Sequence, residues 1–85
     1  MEFLKGKIIE MPPELQADIR SKNRHLELVY WRLLIAQNMR LQLHEIPEIA
    51  KALNHNRTTI YYYLQVFDDY YRYDRNFRKF VDSFK

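Results

Sequence analysis

Apolar residues recur along this chain at helical spacing, and no segment alternates apolar and polar positions in the period of two that marks a strand. The clearest pattern runs from Asn23 or Arg24 to Met39 or Arg40. Leu26, Val29, Tyr30 and Leu33 form one stripe, and Leu28, Trp31, Ile35 and Met39 form a second. Two stripes on one helix predict packing on both sides, either as a central helix or against a second subunit. A homodimer therefore enters as one option.

The remaining elements follow from their start and stop residues. Pro12-Pro13 opens a short helix, with Glu14 near its positive end and Leu15 and Ile19 sharing a face. Residues 20–24 form a connector. Leu41 to Glu45 is a linker, and Ile46-Pro47-Glu48 starts a helix that runs to about Leu53. Asn54-His55-Asn56 breaks it, because asparagine tolerates the left-handed region and also caps helices well. A long helix is predicted from Arg57 to about Arg72. Asp74 caps a last one over Arg75–Phe84, with Phe77, Phe80, Val81 and Phe84 as its buried face. Residues 1–11 show neither a clean helix nor a clean strand and read as an ordered arm or a flexible tail. The expected fold is all-α: one domain over residues 1–85, a small bundle of four to five helices containing a helix-turn-helix.

Two helices joined by a turn of three or four residues share a small core, and this sequence fills each position that core requires. Ala50 is small where the helices approach. Ile49 and Leu53 face inward from the first helix, and Ile60, Tyr63, Leu64 and Phe67 face inward from the second. The same register leaves Asn56, Arg57, Thr58, Tyr61, Tyr62 and Gln65 facing outward, where a recognition helix meets bases and phosphates. No acidic residue lies between Glu48 and Asp68.

Charge sharpens this picture. The net charge is +3, and all of it lies in the second half. Residues 1–48 balance seven basic groups against seven acidic ones, whereas residues 49–85 set seven against four. An anionic partner for that half is the implied reading. The candidate DNA-contacting residues are Lys51, His55, Asn56, Arg57, Thr58, Thr59, Tyr61, Tyr62, Gln65 and Arg78. Arg57 is expected to read a base edge, Thr58 to touch a base and Thr59 to anchor backbone, with Lys51 and Arg78 on phosphate. The plainer alternative for Arg57 is a surface ion pair with Asp68 or Glu48, which would contribute little. Tyr63 and Tyr71 are expected to point inward.

Ile-Ala-Lys-Ala-Leu-Asn-His-Asn-Arg-Thr-Thr-Ile, residues 49–60, resembles the C-terminal DNA-binding domain of the bacterial replication initiator DnaA. That family has an Ile-Gly-x-x-Phe-Gly-like helix followed by a basic-Asp-His-Thr-Thr-Val run that opens its recognition helix. Thr58-Thr59-Ile60 matches the end of that run, and Asn56-Arg57 stand where Asp-His would be. A long helix, an Asp at position 74 and a short amphipathic helix to Phe84 extend the likeness over about residues 24–84. The family's ATPase domain is not among these 85 residues. The resemblance implies a helix-turn-helix fold and a surface for double-stranded DNA, in a regulatory or replication protein of a phage or mobile element.

Other chemistries find little support. The chain has no cysteine, and His25, His44 and His55 are scattered without partners at ligand spacing, so no metal site or cofactor is expected. Asp68 and Asp69 are adjacent on a helix and do not face each other. Neither a glycine-rich phosphate loop nor a nucleophile–base pair is visible, so the protein is expected not to be an enzyme. No apolar run approaches the ~18 residues of a membrane span, and no signal peptide is evident, so a soluble, cytoplasmic protein is expected. The rival function is a protein-interaction module using the doubly apolar helix and the exposed tyrosines.

Overall fold

The computed structural model describes residues 2–85, and the account of side chains begins at Phe3. Among these residues there are six α-helices and no strand: α1 Glu2–Lys5, α2 Gln16–Ile19, α3 Leu26–Leu41, α4 Ile46–Leu53, α5 Arg57–Tyr73 and α6 Arg75–Asp82. The all-α bundle is as expected, with six helices rather than four to five. The difference lies in the one-turn helices. α1 has no signal in the apolar pattern because it is a single turn ahead of Gly6. The Pro12-Pro13 segment forms a turn, closed by Leu15 N–H on Pro12 O at 3.0 Å, and the helix proper starts only at Gln16.

α3 is the axis of the bundle and packs against all five other helices. Its two apolar stripes therefore both find partners within the chain. On one side Tyr30 and Trp31 meet α6, with Tyr30 5.2 Å from Phe77 and Trp31 5.1 Å from Phe80, both edge-to-face. Phe77 also meets Phe67 and Tyr70 of α5, at 5.3 and 5.7 Å. Each fully buried ring, Phe67 and Phe77 among them, stabilises the fold by roughly 1.5–3 kcal/mol. Leu33, Leu34 and Ala36 of the same helix are buried with Ile19, Ile49 and Leu53 in the same core. A second subunit is not needed to cover either stripe. Leu26, expected in the first stripe, is 53% exposed. It is the first residue of α3 and reaches only the open rim beside Tyr70 and Tyr73.

Two polar residues sit inside this apolar helix. Asn38 is fully buried and holds the N-terminal arm. Its amide nitrogen donates to Leu4 O at 3.2 Å and Lys7 O at 2.8 Å, and its oxygen accepts from Ile9 N–H at 3.0 Å. Gln42 adds a bond to Lys7 O. The arm is thus ordered, with Leu4 in the core. Arg32, only 3% exposed, is the second. No helix among the described residues is long and apolar enough to cross a membrane.

Candidate nucleic-acid interface

The turn between α4 and α5 is built from backbone bonds that asparagine permits. Asn54 takes φ 56° and ψ 42°, the left-handed region. Its N–H reaches Lys51 O at 3.3 Å, and His55 N–H reaches Ala50 O at 3.0 Å. This pair of bonds is the αL end that closes a helix and satisfies two of its last carbonyls. The Asn54 side chain reaches across to donate to Arg20 O at 3.1 Å, tying the turn to the connector before α3. At the start of α4, the Glu48 carboxylate accepts from Glu45 N–H at 3.0 Å and lies 3.3 Å from His44. Those two contacts hold its pKa below the ordinary carboxylate value.

Asn56 begins α5. Its Oδ1 accepts from Thr59 N–H at 2.8 Å and from the Thr59 hydroxyl at 2.9 Å. Both residues therefore have a capping role, and the Thr59 hydroxyl expected to anchor backbone is already engaged with the cap. Thr59 is half-buried, whereas Arg57, Thr58, Tyr61, Tyr62 and Gln65 are exposed. At 100° per residue these five fall within an arc of about 140°, and Ile60, Tyr63, Leu64 and Phe67 occupy the opposite arc. From Arg57 to Gln65 the helix rises about 12 Å. That matches the width of a major groove. Tyr61 is 60% exposed, a large aromatic surface for a side chain on this face. Tyr63 is buried as expected. Tyr71 is half-buried, and its hydroxyl donates to Asp82 at 2.6 Å.

The face is free of acid and largely free of ion pairs. The first turn of α5 carries no acidic residue. Among the described residues the only ion pairs are His44–Glu48 and Lys85–Asp82. Arg57 thus pairs with neither Asp68 nor Glu48, and its charge faces solvent. Lys51 is likewise exposed, on α4.

Two expected contacts sit differently. His55 is half-buried in the turn, edge-on to Tyr63 at 6.1 Å, and its Nε2 has no hydrogen-bond partner. Burial, and next the Arg32 guanidinium, lower its pKa below the ordinary histidine value. Arg78 lies at the opposite end of α5 from Arg57. Its guanidinium donates to Tyr71 O at 3.0 Å and Arg72 O at 2.9 Å and stacks over the Tyr71 ring. It closes the C-terminus of α5, where a cation is favoured, and does not join the exposed face of Arg57, Thr58 and Tyr61.

The fold also brings up residues that the apolar pattern left out. Lys22 and Arg24, from the connector before α3, flank an open groove at the start of α5 together with Arg32, His55, Asn56 and Thr59. Three cations within five residues, Arg20, Lys22 and Arg24, were the visible signal. Nothing local marks Arg32, which reaches the groove only through the packing of α3. Compared with known proteins, the chain matches no protein-family model, no curated protein and no solved structure.

Proposed function

We propose that this protein binds double-stranded DNA with sequence preference, through a helix-turn-helix formed by α4 and α5. The observation that carries the reading is the exposed, acid-free face of Arg57, Thr58, Tyr61, Tyr62 and Gln65 at the start of a 17-residue helix. A helix N-terminus presents free N–H groups and a positive dipole end, both suited to phosphate. Arg57 has no ion-pair partner among the described residues, and a guanidinium at the start of such a helix can donate two bonds to a guanine edge, the commonest specific contact in the major groove. In this reading the protein is a non-enzymatic regulatory or replication factor working in the cytoplasm, in keeping with its likeness to the initiator's DNA-binding domain.

The test is a fluorescence-anisotropy titration of a labelled random duplex pool at several salt concentrations, followed by sequencing of the bound fraction. Affinity is expected to fall linearly on a log–log salt plot, because phosphate contacts release counterions. The selected fraction is expected to share a short motif. Absence of binding in low salt overturns the proposal. The competing reading, a protein-interaction module, draws on exposed Leu26 and Tyr73 at the far end of α5, and an apolar interface there would be nearly indifferent to salt.

A further inference from the structure

α5 changes character along its length. Its first half carries no acid, but Asp68 and Asp69 come after Gln65, and Asp69 lies about 18 Å along the axis from Arg57. At that far end Tyr70 and Tyr73 meet Leu26, the first residue of α3. An open cleft of about 330 Å³ is lined there by Leu26, Asp69, Tyr70, Tyr73 and Asp74. Leu26 is 53% and Tyr73 77% exposed, and Tyr70 is half-buried. A single hydrophobic residue in water is ordinary. Two of them sharing one cleft with a third, half-buried ring form a continuous apolar surface.

The charge on this surface is opposite to that of the chain. The net charge is +3, yet the charged groups lining the cleft are two carboxylates, Asp69 and Asp74. Neither forms an ion pair among the described residues. Bonds from the Tyr30 hydroxyl and the Phe77 amide fix Asp74 in place without neutralising it, and Asp69 is exposed. Negative charge beside aromatic rings repels phosphate and attracts a cation. The chain's own contacts show which cation such rings accept. The Arg72 guanidinium sits 5.9 Å from the centre of the Tyr73 ring, and that of Arg78 sits 5.4 Å from Tyr71. Neither arginine lines the cleft.

We propose that this cleft receives an arginine side chain of a partner protein: the guanidinium faces the carboxylates of Asp69 and Asp74 and the tyrosine rings, and the aliphatic stem lies on Leu26. Arginine suits the site because its planar fork addresses carboxylates and also stacks on aromatic faces, which a lysine ammonium does less well. Exposed ion pairs alone contribute little. The stem therefore supplies the contact area, and the carboxylates select the sign of the charge. The inference goes beyond duplex binding and does not rest on it. A protein docked at this end of α5 leaves the Arg57 end free, so one helix serves two partners of opposite charge.

The experiment follows backbone amide signals by NMR while a capped alanine-leucine-arginine-alanine peptide is titrated into the protein. The same peptide with neutral citrulline in place of arginine, and a random duplex, are the comparison probes. Asp69→Asn and Tyr73→Ala are run beside the wild type. Both residues are exposed, so folding is preserved, and a thermal melt checks it; Asp74 is left intact because it caps α6. The expected result is saturable shifts centred on Leu26, Asp69, Tyr70 and Tyr73 with the arginine peptide, their loss with the citrulline peptide, and their loss in both variants. No shifts, equal shifts with citrulline, or shifts that survive both substitutions overturn the proposal while leaving duplex binding at the Arg57 end untouched. Shifts at these amides that grow with protein concentration alone assign the cleft to a second copy of the chain, and shifts there with duplex but not with peptide assign it to nucleic acid. Either result overturns it as well.

Discussion

The Tyr30 hydroxyl on α3 donates to Asp74 Oδ2 at 2.7 Å, and the other oxygen of the same carboxylate accepts from Phe77 N–H at 3.1 Å. One side chain thus caps α6 and fastens it to the central helix. Both groups titrate away from their ordinary values. Burial first, and then the bond to Asp74, push Tyr30 up to about 12 from 10.0. The Tyr30 bond, followed by the Phe77 amide, hold Asp74 below 3.8.

These shifts predict a stability plateau with two edges. For Asp74 the folded value is depressed, so its contribution is present above pH 3.8 and is lost as pH falls through the folded value. For Tyr30 the folded value is raised, so its contribution is complete below pH 10.0 and is lost as pH climbs towards about 12. Tyr63 and Tyr71 are raised too and act in the same direction. Urea denaturation across pH is the measurement. Tyr30→Phe is expected to make the alkaline limb shallower, and an unaltered limb in that variant would refute the assignment.

Leu43 is the clearest site for a gain in stability. It ends α3 with φ 68°, its N–H on Arg40 O at 2.9 Å and His44 N–H on Met39 O at 3.1 Å, while its side chain is 83% exposed. A leucine in the left-handed region is strained by its Cβ, and so exposed a side chain contributes little packing in return. Leu43→Gly is expected to raise stability by about 0.5–1 kcal/mol, or several degrees in Tm. A lower melting temperature by circular dichroism would show that the strain argument is wrong. At the equivalent position after α4, Asn54→Ala is expected to cost about 1–2 kcal/mol, because it loses both the tolerated conformation and the bond to Arg20 O.

Removing Asn38 is expected to release the arm. Asn38→Leu keeps the volume but leaves the Ile9 amide without its acceptor and removes one of two donors from each of the Leu4 and Lys7 carbonyls, which keep their bonds from Lys7 N–H and Gln42. The expected loss is about 1–3 kcal/mol, the cost of one buried polar group left unpaired. Hydrogen exchange at the Ile9 amide should speed up well before exchange in α5. Exchange that quickens equally in both segments would mean the arm is not a separate unit.

Arg57 and Arg78 separate binding from stability. Arg57→Ala is expected to weaken binding by about 1–3 kcal/mol at a preferred site and to relax one or two base positions, with the melting temperature unchanged. Arg78→Ala is expected to lower stability through the lost carbonyl bonds at the end of α5, with duplex affinity nearly unchanged at a given salt. The opposite pattern in anisotropy and melting experiments would reassign the DNA-facing surface to the other end of α5.

What could be read from the chain depended on how far away each residue's partner lies. Pro47, Asn54 and Asp74 act on backbone within a few residues of themselves, and each stands where local spacing put it. The inward and outward faces of α5 were legible for the same reason, since a helix repeats its geometry over Ile60, Tyr63 and Phe67. Arg32 and Asn38 were not legible, because their partners lie 11 to 34 residues away and only the packing of α2 and the arm on α3 brings them together. Leu43 was not legible, because leucine disfavours the left-handed region in which the closing bonds to Arg40 and Met39 hold it. Arg78 misled because exposed charge resembles a phosphate contact until its backbone acceptors are seen.

The bonds that Arg32 makes to the carbonyls of Asp18, Ile19 and Ser21, together with the Asn54 bond to Arg20, fix four consecutive backbone oxygens from the end of α2 into the connector. A surface loop normally pays for its ordering when it docks; here that entropy is spent during folding. Association with a charged partner should then be a single-step encounter. Its rate would be governed by long-range attraction and ionic strength rather than by a conformational change after contact.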